Sequence, residues 1–221
     1  MINARLDREV IAMRVAQELP DGAYVNLGIG IPTLVSQFLP KERNVTYHSE
    51  SGVLNYGPLA ADGEEDLDII NAGGEFLESV PGMAYFHSSD AFGMIRGGHI
   101  DIAVLGALQV SQAGDLANWM LPERGVGNVG GAMDLAAGVK RIIVAMEHTD
   151  ASGNPKIVSE CSYPLTGQRC VDLIVTDVAV IQVNPDGLLL REIAPGWSPE
   201  DVQAITEPPL QTAKTLSTIH L

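Results

Sequence analysis

The first part of the chain changes from helical to extended hydrophobic spacing. Apolar side chains recur every three or four positions from Leu6 to Leu19, which predicts an amphipathic helix ending at Pro20. The short run 24–27 predicts a strand, which leads into a glycine turn. The apolar stretch 34–39 then predicts a second helix with Thr33 as its cap.

Short apolar runs recur in the second half of the chain. Those at 100–105, 141–146 and 171–175 are of the type expected for strands buried on both faces of a parallel sheet. The runs 178–183 and 188–193 are separated by Asn-Pro-Asp-Gly, which predicts an antiparallel hairpin at the sheet edge. The pattern therefore predicts an α/β fold, with a mainly parallel open sheet flanked by helices and a hairpin near the C-terminus.

The remaining segments predict less regular structure. Residues 52–96 are polar and contain several glycines, so we expect long loops there. Ser198 is predicted to cap a last helix that Pro208 terminates, and residues 209–221 are predicted to form a tail. Because the sequence contains no repeat and no linker-like stretch, we predict one domain covering 1–221.

The balance of charges argues against some classes of binding partner. The chain has 28 acidic against 13 basic side chains, a formal net charge of -15, which repels nucleic-acid phosphates and anionic lipids. No apolar run is long enough to cross a bilayer, so we expect a soluble, cytoplasmic protein. Cys161 and Cys170 do not form a Cys-x-x-Cys pattern and no histidines pair at ligand spacing, so no metal site is predicted.

One acidic residue stands at the end of a predicted strand. Residues 44–49 have high β propensity, and Glu50 follows them directly and precedes a Ser-Gly turn. The carboxyl ends of strands form the usual ligand crevice of α/β sheets, so Glu50 is a candidate nucleophile. The alternative interpretation is a surface carboxylate that simply begins a loop.

Two glycine-containing segments are candidate binding loops. Gly28 and Gly30 lie between a predicted strand and helix, where backbone N–H groups can approach an anion, although a tight turn explains the same pattern. The glycine-rich segment 125–134 precedes a helix of small residues, and it is either an oxyanion hole or cofactor cradle, or a flexible loop. The positions in it that we assign to binding are Asn128, Gly130 and Gly131.

Other reactive residue types are weaker candidates. His48, His99 and His148 each lie at a strand margin without a spaced partner, where a structural hydrogen-bonding role is the more common one. No Gly-x-Ser-x-Gly elbow is present, so a hydrolase triad is not predicted. Trp119 and Trp197 are expected to pack in the core or at a subunit interface.

Several ordered motifs together resemble one family. They are His-Ser-Glu-Ser-Gly at 48–52, Asn-Ala-Gly at 71–73, Met-Ile-Arg-Gly-Gly-His at 94–99, Gly-Ala-Leu-Gln-Val-Ser at 106–111, Gly-Asp-Leu-Ala-Asn-Trp at 114–119 and Gly-Gly-Ala-Met-Asp-Leu at 130–135. They are similar to the B (beta) subunit of family I coenzyme A transferases, the group of succinyl-CoA:3-ketoacid and 3-oxoadipate CoA-transferases. The resemblance extends from the first helix to 192–196, which is nearly the whole chain.

The resemblance implies both a site and a reaction. Glu50 aligns with the family's catalytic glutamate, Gly131 with the glycine whose N–H helps to form the oxyanion hole, and Gly28 and Gly30 with a turn that contacts CoA. The implied reaction moves CoA from an acyl-CoA to a carboxylic acid by a ping-pong route through a glutamyl-CoA thioester. CoA is then a co-substrate, no separate cofactor is expected, and an A (alpha) subunit completes a heterodimer or heterotetramer.

Two positions depart from the family pattern. Ser51 stands where the family usually has asparagine, and Gly74 stands where some relatives have a lysine that could contact the CoA phosphates. Two other functions stay open: an acyl-CoA hydrolase, in which water resolves the glutamyl intermediate, and a non-catalytic ligand-binding module of the same fold. The sequence does not determine the acyl-CoA donor or the acceptor acid.

Overall fold

The computed structural model describes residues 4–220. The helices are α1 (Arg8–Ala16), α2 (Ile31–Leu34), α3 (Ser88–Arg96), α4 (Ala132–Gly138) and α5 (Pro199–Ala204), with 3-10 helices at Val35–Phe38 and Pro122–Arg124. The strands are β1 (Tyr24–Leu27), β2 (Thr46–Ser49), β3 (Val53–Leu54), β4 (Ala84–Tyr85), β5 (Ile102–Leu105), β6 (Gln109–Ser111), β7 (Leu116–Ala117), β8 (Arg141–Met146), β9 (Ile157–Val158), β10 (Leu173–Thr176), β11 (Ala179–Asn184), β12 (Gly187–Ile193) and β13 (Leu210–Thr218).

Most of these strands join one large sheet with the order β13-β12-β11-β10-β8-β5-β1-β2-β3-β4. Its centre, β2-β1-β5-β8-β10, is parallel throughout. Antiparallel strands flank this centre, with β3 and β4 beyond β2 and the β11–β12 hairpin beyond β10. The predicted α/β fold, with its mainly parallel sheet and C-terminal hairpin, is confirmed.

The central strands are buried on both faces because neighbouring residues point into two different apolar layers. Ile102 and Val104 of β5 belong to the layer that contains α1, whereas Ala103 and Leu105 belong to the layer that contains α3 and α4. A strand covered on both sides needs apolar residues at every position, so the runs at β5, β8 and β10 lack polar alternation.

Two local predictions of helix position are wrong. The second helix begins at Ile31, before Thr33, because Pro32 occupies its first turn, where the missing N–H of proline is tolerated. The hydroxyl of Thr33 instead donates to the Gly30 carbonyl from within that helix. Within the region predicted as loops, α3 forms because the His87 side chain accepts the N–H of Ser89 and caps it.

The predicted C-terminal tail is also wrong, since residues 210–218 form β13. This strand pairs in parallel with β12, so the backbone hydrogen bonds of β12 hold a segment that has few buried side chains. The hairpin therefore does not lie at the sheet edge as predicted, because β13 covers it. The predicted last helix is present as α5, with Ser198 and Asp201 forming a reciprocal capping box.

The direction of strand addition reverses at β1, because β2 is added on one side of it and β5 on the other. The connections that leave these strands diverge at their carboxyl ends, and such a switch point leaves a crevice in an open α/β sheet. The residues that follow β1, β2 and β5 at this crevice are Gly28, Glu50 and Gly106.

Candidate active site

Glu50 is the first residue after β2 and begins a tight turn. The Gly52 N–H donates to the Ser49 carbonyl over 3.0 Å, and Gly52 has a φ of +105°. A Cβ atom at Gly52 would also collide with the Phe86 carbonyl oxygen. The turn therefore requires glycine, and it holds Glu50 at the carboxyl edge of the sheet.

The Glu50 carboxylate is half-buried and only partly satisfied. Its Oε2 atom is buried and accepts no hydrogen bond from residues 4–220. The Oε1 atom lies against Gly131, where a Cβ would approach it to 2.9 Å and the Phe92 ring to 3.2 Å. A buried carboxylate oxygen without a donor is costly, so this group is poised to interact with a ligand.

Gly131 immediately precedes α4 and presents a backbone donor beside Glu50. Within the described part of the chain its N–H donates no hydrogen bond, whereas its carbonyl accepts the N–H of Leu135 over 3.0 Å. The Asn128 Oδ1 accepts the Gly130 N–H over 3.1 Å and so shapes the loop ahead of Gly131. The Gly131 amide is thus available to a ligand oxygen.

The residue after the carboxylate ties this turn to a neighbouring loop. The hydroxyls of Ser49 and Ser51 are 2.8 Å apart, and Ser51 Oγ donates to the Ile70 carbonyl over 3.3 Å. The buried Asn71 side chain accepts two backbone N–H groups from the loop that it begins. These contacts fix loop 70–75 opposite the glycine-rich segment.

A cavity of about 860 Å³ opens in front of Glu50, a volume typical of small-molecule sites. Its walls come from the carboxyl ends of β1, β2 and β5, from loop 70–74 and from segment 128–132. No lysine, arginine or histidine is among the described residues that line it.

All predicted site residues but one line this cavity; they are Gly28, Glu50, Asn128, Gly130 and Gly131. Gly30 lies instead in an adjoining cavity of about 190 Å³. It immediately precedes α2 and has a φ of +91°. The catalytic and CoA-binding roles of these residues stay predictions. These residues lie at one crevice because the direction of strand addition reverses at β1.

The strand beneath Glu50 is held by a buried polar pair. Asn26 Nδ2 lies 3.1 Å from His48 Nδ1, and because an amide nitrogen only donates, His48 Nδ1 accepts. Burial lowers the pKa of His48. His48 is therefore a neutral side chain that joins β1 to β2.

Two stacked tyrosines lie near the carboxylate, with the Tyr47 and Tyr56 ring centroids 5.5 Å apart. Burial raises the pKa of both phenols, and the charge of Glu50 contributes to raising the pKa of Tyr56. Both phenols stay protonated at neutral pH, so this pair adds no charge beside the Glu50 carboxylate.

The other reactive residues lie away from the cavity. His148 is fully buried between Thr176 and Thr206, at 2.9 and 2.8 Å from their hydroxyls. Burial raises the pKa of both free cysteines, Cys161 and Cys170, to about 11, so both are protonated thiols at neutral pH. In residues 4–220 no cluster of side chains has the composition of a metal site.

Both tryptophans donate to backbone carbonyls. The Trp119 indole donates to the Leu165 carbonyl, and the Trp197 indole donates to the Ala4 carbonyl. None of the helices in the described chain has the length and hydropathy needed to span a membrane.

Comparison with known proteins defines the class. A family model described as Coenzyme A transferase matches residues 8–204, so this chain belongs to the coenzyme A transferase family. It is 50% identical over 204 residues to the B subunit of 3-oxoadipate CoA-transferase from Acinetobacter baylyi, covering 91% of this chain and 94% of the relative. It is 48% identical over 200 residues to the B subunit of succinyl-CoA:3-ketoacid coenzyme A transferase from Helicobacter pylori, covering 90% and 96%.

The fold comparison agrees with this assignment. The acyl-CoA transferase YdiF of Escherichia coli O157:H7 superimposes with a TM-score of 0.75 at 21% identity. The match covers 100% of this chain but only 44% of that chain, so the present fold spans less than half of it. The predicted family resemblance, and the prediction of a CoA-transferase chain of the beta type, are confirmed.

The sequence analysis assigned no role in the site to three residues that shape it. Asn118 donates to the Gly106 carbonyl and accepts from Thr166, which braces the cavity wall. Phe92 of α3 lies against Gly131 and carried no sequence signal, because α3 falls in the region predicted as loops. Asn71 starts an Asn-Ala-Gly-Gly turn, and that turn signal was visible in the sequence.

Proposed function

We propose that this chain is the B (beta) subunit of an enzyme that transfers CoA from an acyl-CoA to a carboxylic acid through a glutamyl-CoA thioester on Glu50. The observation that carries the proposal is the pairing of the partly satisfied Glu50 carboxylate with the available Gly131 N–H in one cavity. A nucleophile and an oxyanion donor at that spacing suit acyl transfer.

The first half of the proposed reaction transfers CoA to the enzyme. A Glu50 oxygen attacks the thioester carbonyl, the C–S bond breaks, and an acyl-glutamyl anhydride and CoA thiolate form. The thiolate then attacks the glutamyl carbonyl, so the first carboxylic acid leaves as its anion and a glutamyl-CoA thioester remains. The second acid takes CoA by the same steps in reverse. Charge and atoms balance without a metal, ATP or another cofactor.

The Gly131 N–H supplies the electrostatic part of this reaction. Each attack on a carbonyl forms a tetrahedral oxyanion, and one fixed backbone donor contributes about 3 kcal/mol to its stabilisation. A carboxylate is a poor nucleophile when fully hydrated, so the partial burial of Glu50 raises its reactivity. Contacts to the distant part of CoA then supply the free energy that positions the thioester.

The proposed partner and substrates follow from the relatives' names. Both bacterial relatives are named as B subunits, so we assign this chain an A (alpha) subunit that completes the site. One relative is named for 3-oxoadipate and the other for succinyl-CoA and a 3-ketoacid. We therefore infer succinyl-CoA as donor class and a 3-oxo acid as acceptor class.

Mass spectrometry of the assembled complex tests the proposal. The chain, co-expressed with its alpha subunit, is incubated with succinyl-CoA and digested, and the peptide that contains Glu50 is analysed. We expect a CoA adduct that hydroxylamine removes, absent in Glu50→Gln and present in the matched control Glu64→Gln, whose carboxylate lies in an exposed loop.

Product analysis separates the rival functions. CoA transfer requires an acceptor acid, whereas a hydrolase of the same fold releases free CoA from the adduct without one. A complex that forms no adduct with succinyl-CoA or acetoacetyl-CoA, and in which Glu50→Gln changes nothing, would contradict the proposal and favour a ligand-binding module.

A further inference from the structure

A second cavity, of about 190 Å³, adjoins the one in front of Glu50. The two share the lining residues Ile29, Gly106 and Ala107, so they form neighbouring parts of one crevice. The smaller cavity lies at the carboxyl ends of β1, β5 and β8, and it is here that basic side chains reach the crevice. They are Arg8 and Lys156.

The charges in this cavity leave one ammonium group unpaired. Arg8 forms an ion pair with Glu147, at 2.6 Å between the closest atoms. Lys156 forms no ion pair and no side-chain hydrogen bond within residues 4–220, although Glu147, Asp150 and Asp177 act on it from a greater distance. Because Arg8 compensates Glu147, the cavity presents the Lys156 charge to a ligand.

The burial of Lys156 supports a binding role over that of an ordinary surface lysine. Its side chain is only partly exposed, and desolvation lowers its pKa against the opposing effect of the nearby carboxylates. A partly desolvated ammonium that no carboxylate pairs is stabilised when an anion binds to it. Phosphate and carboxylate groups are the anions that a lysine binds in this way.

The position of the cavity across the sheet selects between those two anions. Three strand spacings separate β2, which ends at Glu50, from β8, and at about 4.8 Å each this is about 14 Å. A four- to six-carbon diacid spans roughly 5 to 7 Å at about 1.5 Å per bond, so its second carboxylate falls short. The pantetheine arm of CoA is roughly 15 Å long, comparable to four or five extended residues.

We propose that Lys156, in the cavity that it shares with Arg8, binds a phosphate of the CoA nucleotide while the thioester lies at Glu50. This rests on the proposed function, because it assigns the far end of the same substrate. Lys156 also gives the crevice a cation. This chain has Gly74 at the position where some relatives have a lysine. The Arg8–Glu147 ion pair keeps the nearest carboxylate from repelling the phosphate.

The experiment compares two thioesters in the assembled complex, succinyl-CoA and succinyl-pantetheine, which lacks the phosphates. The variants are Lys156→Gln, Lys156→Arg, and Lys140→Gln as matched control, since Lys140 precedes the opposite end of β8 and pairs with Asp101. For Lys156→Gln we expect kcat/KM with succinyl-CoA to fall about tenfold or more, and kcat/KM with succinyl-pantetheine to stay unchanged. Lys156→Arg should retain most activity, and Lys140→Gln should behave as the unmodified chain.

Each other outcome has a definite meaning. An equal loss with both thioesters would overturn the proposal, because Lys156 would then act on the acyl group or on the fold. Unchanged kinetics with succinyl-CoA would overturn it as well. If the unmodified complex turns over neither thioester, the proposed function fails, and this result differs from a selective failure of the Lys156 variant.

Discussion

The backbone of Gly131 lies so close to the Glu50 carboxylate that a methyl group at Gly131 would stand 2.9 Å from Glu50 Oε1. Two segments separated by 81 positions thus form one contact, in which a glycine supplies both a free N–H and the space for the carboxylate. The Phe92 ring of α3 faces the same position and would stand 3.2 Å from that methyl group.

The first prediction is that Gly131→Ala lowers transfer activity more than stability. The added methyl group displaces the carboxylate from the proposed oxyanion donor, and a misplacement of about 1 Å is expected to reduce kcat about 100-fold. Steady-state transfer rates and thermal melting of the same complex measure both effects. Gly93→Ala is the control, because a Cβ there meets no atom within 4 Å, and an equal loss in that variant would contradict the prediction.

Gly52→Ala should destabilise the fold itself. Its φ of +105° is strained for any side chain, and its Cβ would meet backbone that cannot rotate away. We expect the free energy of unfolding to fall by about 3 kcal/mol in urea titrations. In Gly63→Ala, where φ is +87° and the space is open, the expected loss is about 1 kcal/mol, so a smaller loss at Gly52 would refute this account.

Ser49 and Ser51 should act as one unit in positioning the turn. Their hydroxyls contact each other and connect to the Ile70 carbonyl, so removing either hydroxyl breaks the same chain of hydrogen bonds. We expect Ser51→Ala and Ser49→Ala each to lower kcat about fivefold, and the double variant to be no worse. Additive losses in the double-mutant cycle would show that the two hydroxyls work separately.

Because of His148, we expect the free energy of unfolding to decrease in mild acid. Burial, followed by the charges of Arg5 and Lys156, lowers its pKa from 6.5 to about 3. Below pH 6.5 the unfolded chain binds a proton that the folded chain does not, so stability is fully present above 6.5 and decreases as the pH falls toward 3. At about pH 5 the loss is about 2 kcal/mol.

Urea unfolding at neutral pH and at about pH 5 measures this effect. His148→Gln should flatten the dependence between these two pH values, whatever its effect on stability at neutral pH. His99→Gln replaces an exposed histidine and should leave the dependence unchanged. A parallel dependence in His148→Gln and the unmodified chain would assign the acid sensitivity to other groups.

Local patterns were sufficient for much of the fold. The apolar runs of β5, β8 and β10 identified the parallel centre, because strands covered on both faces need apolar residues throughout. The hairpin and α5 were also predicted correctly, since their turn and cap residues act within a few positions. Glu50 stood out for the same reason, as an acid between a strand and a Ser-Gly turn.

The failures have a common cause. The segment 210–218 has few buried side chains, and it became β13 only through backbone pairing with β12, which side-chain patterns do not encode. The helix α3 has a narrow apolar face, with Ala91 and Ile95 buried by packing against other elements. Tertiary contacts of this kind override weak local preference.

The sequence by itself determined the class of fold, the family and the position of the candidate nucleophile, because hydrophobic spacing, turn residues and ordered motifs are local properties. Only the tertiary structure decided which groups meet. The order of strands around β1 brings Glu50 to Gly131, and it places Lys156 on a neighbouring part of the same crevice. Contacts between distant segments depend on the crossovers of the chain, and no single stretch of sequence contains them.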